Sequence, residues 1–154
     1  MSRGAMKKTN SIDHPMAKHL GYVLKRAQHA LRYAMDERLG TVGLTTSQYN
    51  VLSSIHAEPG ISNASLSRAA FTTAQSMLGI VSNLEKLGLM RRVPDPHHGR
   101  VKRSALTPAG ERVLTKAHKA LAGVEEAMTA GFTEKETMAL TSMLQRCADN
   151  MNPG

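Results

Sequence analysis

Apolar side chains recur at three- and four-residue steps through most of this chain, the pattern of amphipathic helices. Met16, Leu20, Val23, Leu24, Ala27, Leu31, Ala34, Met35 and Leu39 keep that step. They predict one long helix over residues 14–39, opened by His14-Pro15 and closed by Gly40. Thr45 and Gln48 have capping-box spacing and start a second helix. Val51, Leu52 and Ile55 form its inner face, and Glu58-Pro59-Gly60 ends it. Ser62 and Asn63 can cap a short third helix carrying Leu66, Ala69 and Ala70. Phe71-Thr72-Thr73 make a brief turn, and Thr72 with Gln75 repeats the capping spacing. Met77, Ile80, Val81, Leu84 and Leu87 then form the stripe of a fourth helix that Gly88 ends.

The rhythm changes over residues 90–106. Pro94, Pro96 and Gly99 punctuate short runs containing Val93 and Val101, which predicts a β-hairpin. Thr107-Pro108 opens a fifth helix, with proline at its first position. Its seam runs through Val113, Leu114, Ala117, Leu121, Val124 and Met128, and Gly131 breaks it. Thr133 and Glu136 form a third capping pair for a last helix, where Leu140, Met143, Leu144, Cys147, Ala148 and Met151 share a face.

The pattern predicts a mainly α fold with a small β-hairpin wing. Helix 62–70, the turn and helix 73–87 form a helix-turn-helix, and the hairpin follows as its wing. The expected organisation is a disordered tail over 1–12, an N-terminal dimerisation helix over 13–43, a winged helix-turn-helix domain over 44–107, and C-terminal dimerisation helices over 108–151. The first, fifth and sixth helices are long relative to the compact middle. Their apolar seams call for a second copy of the chain, with packing inside one chain as the alternative.

Composition sharpens this picture. A chain of 154 residues is one domain, or one domain with helical extensions. Aromatics make up 3% and Trp is absent, so the core is aliphatic and suits helix packing. The formal charge of +8 points to a polyanion, either nucleic acid or an anionic membrane surface. No apolar run approaches the ~18 residues of a membrane span. The hairpin concentrates the charge: Arg91, Arg92, Arg100, Lys102 and Arg103 stand against one acid, Asp95. Such a run is either a solvated loop or a contact for a phosphate-lined groove.

The single cysteine, Cys147, cannot pair within the chain, so a reducing cytoplasm is the expected compartment. Its place on an apolar helical face predicts a buried, unreactive thiol, with Arg146 turned to solvent. Seven histidines include no pair at the i, i+4 spacing of a helical zinc motif, so no metal and no cofactor is expected. A Gly-rich phosphate loop, a nucleophile motif and a pair of catalytic carboxylates are all missing, which argues against an enzyme.

In a helix-turn-helix the second helix enters the major groove. Its polar face here is Thr73, Gln75, Ser76, Gly79, Ser82 and Asn83. Gln can bond adenine at two points, and Ser and Thr can meet bases or phosphates. No Arg or Lys lies between Thr73 and Asn83, so the strong arginine–guanine contact is missing there. Arg68, Arg91, His98, Arg100, Lys102 and Arg103 complete the expected DNA-binding set, with wing charge and DNA shape carrying a large share. His97 and His98 at the wing tip suit phosphate or water.

Four ordered segments resemble the multiple-antibiotic-resistance regulator (MarR) family. They are Leu44-Thr45 with Gln48-Tyr49 and Val51-Leu52, then residues 83–92, then Asp95-Pro96 with Gly99-Arg100, then residues 106–110. The resemblance spans residues 15–150. It implies a homodimeric winged helix-turn-helix repressor or activator, with Arg100 of the wing in the minor groove of a pseudo-palindromic duplex. Two departures stand out. The wing has His98-Gly99-Arg100 where Asp-Arg-Arg is frequent, so the acid that would steady the arginine is missing. The reading helix has Leu78-Gly79 where a polar residue and an arginine are common.

The resemblance also implies a small aromatic or phenolic anion as effector, bound between the dimer helices and the DNA-binding lobe. Tyr22, Arg26 and Tyr49, with His19 beside them, are the candidate contacts. Tyr22 and Tyr49 as ordinary interface residues, with Arg26 paired to a carboxylate, is the alternative. The expected function is a repressor relieved or modulated by that effector. The other reading is a constitutive architectural DNA-binding protein without one.

Overall fold

The computed structural model describes residues 15–100 and 102–151, so the expected tail over 1–12 lies outside the described residues. Helix α1 (Leu20–Gly40) starts later than its periodicity predicts. Residues 15–18 form a separate turn, and His19 takes an extended backbone with no side-chain cap. Met16 keeps the apolar step without the helix because periodicity alone does not say where backbone hydrogen bonding begins.

Helix α2 (Thr46–Ala57) starts on the expected capping box. Thr45 N–H donates to Gln48 Oε1 at 2.9 Å, and Gln48 N–H donates to Thr45 Oγ1 at 3.2 Å. Ser62 caps α3 (Asn63–Ala69). The turn to α4 (Ala74–Lys86) then departs from the expected cap. Phe71 sits at φ +50°, and Thr72 N–H returns to the Ser67 carbonyl. Thr72 is thus spent on closing α3, and Thr73 caps α4 instead by accepting from Ser76 N–H. A left-handed conformation at a non-glycine residue costs about 1 kcal/mol, and here it sets the sharp reversal between the two helices.

Strands β1 (Met90–Pro94) and β2 (Lys102–Leu106) pair antiparallel, with Met90 opposite Leu106 and Pro94 opposite Lys102. The wing is anchored from below, because Gly60 N–H donates to the Ser104 carbonyl at 2.9 Å. Helix α5 (Pro108–Leu121) carries proline in its first turn, as expected, and Thr107 caps it. The predicted single helix through Met128 is interrupted at Ala122-Gly123. Gly123 adopts φ +83°, which ends α5 and starts the short α6 (Val124–Met128). The seam carries on in sequence although the helix does not. Helix α7 (Glu134–Met151) begins on the third capping pair, with Thr133 N–H donating to Glu136 Oε2 at 2.8 Å. That bond and a second from Thr133 Oγ1, at 2.9 Å, hold the Glu136 carboxyl below its usual range.

The core joins α1, α2, α3, α4, the wing and α5. Leu39, Leu52, Ile55, Leu66, Met77, Val81, Leu84 and Leu114 are all buried there. Asp36 ties the long helix to this core, accepting from Thr46 N–H at 3.0 Å and Thr46 Oγ1 at 2.6 Å. Those bonds, with Arg32 alongside, hold its carboxyl below the usual range. No residue of α7 is buried in the protomer. Leu140, Met143, Leu144 and Met151 remain exposed, as do Leu20, Val23 and Leu24 on the N-terminal half of α1. Cys147 is half-buried rather than buried, and it shares an open apolar cavity with Arg146, Leu20 and Leu144. Arg146 is exposed, as expected, and it also lines this cavity beside Cys147. Adjacent residues diverge by only ~100° on a helix, and a long arginine stem reaches around that angle.

Candidate nucleic-acid interface

Helix α4 buries Met77, Val81 and Leu84 and turns Gln75, Ser76, Leu78, Gly79, Ser82 and Asn83 outward. The expected polar face is therefore open. Its members are not equivalent. Thr73 Oγ1 donates to Ser76 Oγ at 2.9 Å, so these two hydroxyls serve the cap. Asn83 Oδ1 accepts from Gln48 Nε2 at 2.7 Å. That bond fixes the last turn of α4 against the start of α2, and Gln48 is a positioning residue that spacing alone showed only as a cap. Gln75 and Ser82 carry no side-chain hydrogen bond among the described residues. Arg68, at the end of α3, donates to Ser65 Oγ at 3.0 Å and stays exposed.

The wing carries its cations unequally too. Arg91, His97, His98, Arg100 and Lys102 are exposed. Arg92 is half-buried, with Nε 3.6 Å from a Glu85 carboxylate oxygen. Arg103 is engaged by Asp95, and its stem passes over Gly60. Asp95 is the acid of this turn, but it does not stand in for the one missing beside Arg100. Only 4% of its surface is exposed, and it organises the turn from four residues before Gly99. One carboxylate oxygen accepts from His97 N–H at 2.7 Å and His98 N–H at 3.1 Å, and the other accepts from Arg103 Nε. The acid steadies Arg103 and the tip backbone rather than Arg100. Spacing hid this, because the bonds run to main-chain amides.

These bonds, led by the one from His97 N–H and followed by Arg103, hold the Asp95 carboxyl below the ordinary carboxylate value of 3.8. A depressed folded pKa stabilises above the unfolded value and is lost as pH falls through the folded one. The wing turn is therefore expected to hold at neutral pH and to loosen only below pH 3.8. Asp95→Ala should show the loosening already at pH 7. Amide exchange at His97 and His98 should accelerate about tenfold or more, with Val81 in the core unchanged. Unchanged exchange at the two histidines would remove the role assigned to Asp95.

Two cavities flank Leu31 and Met35 on α1. The first, of about 390 Å³, is lined by these two with Tyr49, Leu121, Val124, Glu125 and Met128. The Tyr49 ring meets His118 edge-on, with centroids 5.7 Å apart. The second, of about 350 Å³, is more polar and lies against the helix-turn-helix: Gln28, Arg32, Thr46, Ser47, Asn50 and Phe71 contribute. Of the four expected effector contacts, only Tyr49 lines either cavity. His19, Tyr22 and Arg26 lie on the N-terminal part of α1, and Tyr22 is about 14 Å along the axis from Leu31 at 1.5 Å per residue. Arg32, six residues beyond Arg26, is the cation that lines the second cavity. Its i, i+4 partner Asp36 was the signal in the sequence. No cluster of three or more metal-ligating side chains occurs among the described residues. No helix among them is long and apolar enough to cross a membrane.

A helix-turn-helix with an open second helix and a cationic two-stranded wing defines a winged-helix DNA-binding regulator. The chain belongs to the MarR family, whose sequence profile matches residues 42–101. It is 30% identical over 132 residues to a Thauera aromatica protein named for regulation of the hcr operon, spanning 85% of this chain and 80% of that one. Among solved structures, it is similar to the transcriptional repressor CouR bound to a 23-mer DNA duplex, at 29% identity and a TM-score of 0.79. That match covers 86% of this chain and 94% of CouR. It is also similar to the PcaV transcriptional regulator of Streptomyces coelicolor in complex with its natural ligand, at 26% identity and a TM-score of 0.76. There the match covers 90% of this chain and 98% of PcaV. The protein is a DNA-binding transcriptional regulator rather than an enzyme.

Proposed function

We propose that the protein is a homodimeric repressor that binds a pseudo-palindromic duplex through α4 and the wing of each subunit, and that a small molecule modulates it. The observation that carries this reading is the open face of α4 beside exposed Arg91, Arg100 and Lys102. Gln75 and Ser82 are the side chains free to meet base edges, and Arg68 and the wing cations suit phosphates or a narrow minor groove. Residues 44–107 form the DNA-binding unit, and α1 with α5–α7 the dimerisation unit, since apolar side chains of α7 and of the N-terminal half of α1 stay uncovered in one protomer. Repression has the support that CouR is a repressor.

Binding-site selection from random duplexes tests the reading. It should return inverted half-sites with centres about 10 bp apart. On a selected duplex, Arg100→Ala should lower the slope of log affinity against log salt by about 1 per wing. An unchanged slope would place Arg100 away from phosphate.

The modulating ligand suits the cavities beside Leu31, since the second lies between α1 and the DNA-binding unit and the first meets that unit at Tyr49. A small aromatic or phenolic anion fits the second better, where Arg32 and Phe71 stand together. Ligand there would bias the spacing of the two reading helices. A thermal-shift screen of such anions, followed by release of the selected duplex, separates this reading from constitutive architectural binding. PcaV, bound to its natural ligand, gives it support.

A further inference from the structure

The fold has no use for two residues in the middle of α4. Leu78 keeps 52% of its surface exposed, while the core is filled from the same helix by Met77, Val81 and Leu84. Gly79 lies mid-helix, where glycine weakens a helix relative to alanine. A Cβ added there would meet nothing within 4 Å, and its φ is not in the positive range. Neither packing nor backbone geometry asks for glycine at this position. At ~100° per residue, Gly79 lies at the centre of the outward face, between Gln75 and Ser82. Leu78 flanks it, three residues after Gln75 and four before Ser82. The face opposite the core therefore contains a shallow dent at Gly79, flanked by apolar Leu78 and bordered by Gln75, Ser76, Ser82 and Asn83.

Base edges differ in what they offer such a dent. In the major groove a methyl group projects from thymine alone, while guanine shows two acceptors that want a guanidinium. No Arg or Lys lies between Thr73 and Asn83 to meet guanine. Of the other hydrogen-bonding groups there, Thr73 donates to Ser76 Oγ and Asn83 Oδ1 accepts from Gln48, which leaves the Ser76 O–H and the Asn83 Nδ2–H as donors. We infer that Leu78 is a specificity-determining residue that reads a thymine methyl in each half-site, with Gly79 letting the α4 backbone come close enough for the contact. This rests on α4 being the reading helix. Discrimination then comes from burying apolar surface, with Gln75 free to bond the adenine of an adjacent pair.

Replacing thymidine by deoxyuridine removes that methyl and keeps every hydrogen-bonding group. In a duplex returned by binding-site selection, each thymidine is replaced in turn and affinity is measured. One thymidine per half-site should be sensitive, with affinity falling about fourfold for one replacement and about fifteenfold for both. Leu78→Ala should bind the two forms equally, and Leu78→Met, which keeps the apolar reach, should still prefer thymidine. Gly79→Ala should melt above the parent yet bind the thymidine duplex more weakly. Equal binding of both forms by the parent, a thymidine preference that survives in Leu78→Ala, or full affinity in Gly79→Ala would each overturn the inference and leave α4 as the reading helix. Selection that returns no common sequence would instead remove the reading role of α4, and this inference with it.

Discussion

Leu144→Arg is expected to leave a folded protomer that sediments as a monomer and binds a selected duplex at least a hundredfold more weakly than the parent. Helix α7 contributes no buried residue to its own protomer, although Leu140, Met143, Leu144 and Met151 recur along it at helical spacing. Leu144 and Leu20 line one cavity of about 350 Å³, so the exposed faces of α7 and α1 run together there. Each such side chain gains roughly 2 kcal/mol when it is fully covered, and a second copy of the chain offers the matching surface. An arginine at the centre of that seam would bury a charge without a partner. Two linked reading heads gain 10²–10⁴-fold over one through effective concentration, and the monomer forfeits that gain. The core around Met77 and Leu84 does not involve Leu144, so amide protection there should persist. A variant that remains dimeric with parental affinity would mean that other surfaces join the subunits.

Gly110→Ala should destabilise the protein by about 3 kcal/mol or more, lowering the melting temperature by roughly 10 °C. Gly110 is buried in the first turn of α5, and a Cβ there would stand 1.9 Å from the Leu89 carbonyl oxygen. That oxygen is backbone, fixed at the junction of α4 and β1, where it accepts from Thr107 N–H at 3.1 Å. Thr107 Oγ1 donates to the Gly88 carbonyl at 2.6 Å and accepts from Gly110 N–H at 3.1 Å. One threonine thus caps α5, closes the end of α4 and leads out of β2. Added volume must push α5 off this junction and tilt the wing with it. Melting within 2 °C of the parent would show that the junction can give. By contrast, Gly79 has open space around its absent side chain, so the two glycines predict opposite signs for the same substitution.

The elements themselves were legible because local chemistry determines them. Thr45 with Gln48 and Thr133 with Glu136 bond across three residues, and such bonds follow from spacing alone. The hairpin was legible from Pro94, Pro96 and Gly99, whose backbone preferences interrupt helical periodicity. The misplaced boundaries have a common cause. At Thr72, Met16 and Val124 the apolar or capping pattern continues while the backbone changes direction, and side-chain spacing does not report φ and ψ. The open polar face of α4 was also readable, since the opposite face is an unbroken apolar stripe.

Sequence by itself determined a helical chain with one cationic hairpin, a helix-turn-helix before it, and apolar seams on its terminal helices. These are properties of neighbours a few residues apart, where spacing and side-chain type decide the energy. Only the tertiary structure decided which of those residues remain available. It engaged Arg103 with Asp95 and left Arg100 free, tied Asn83 to Gln48, and set Arg32 on the lining of the second cavity while Arg26 stayed outside both. It also gave Gly110 a reason that Gly79 lacks. Each of these turns on a hydrogen bond, an ion pair or a steric contact whose strength changes within an ångström or two, and only the packed chain fixes distances at that scale.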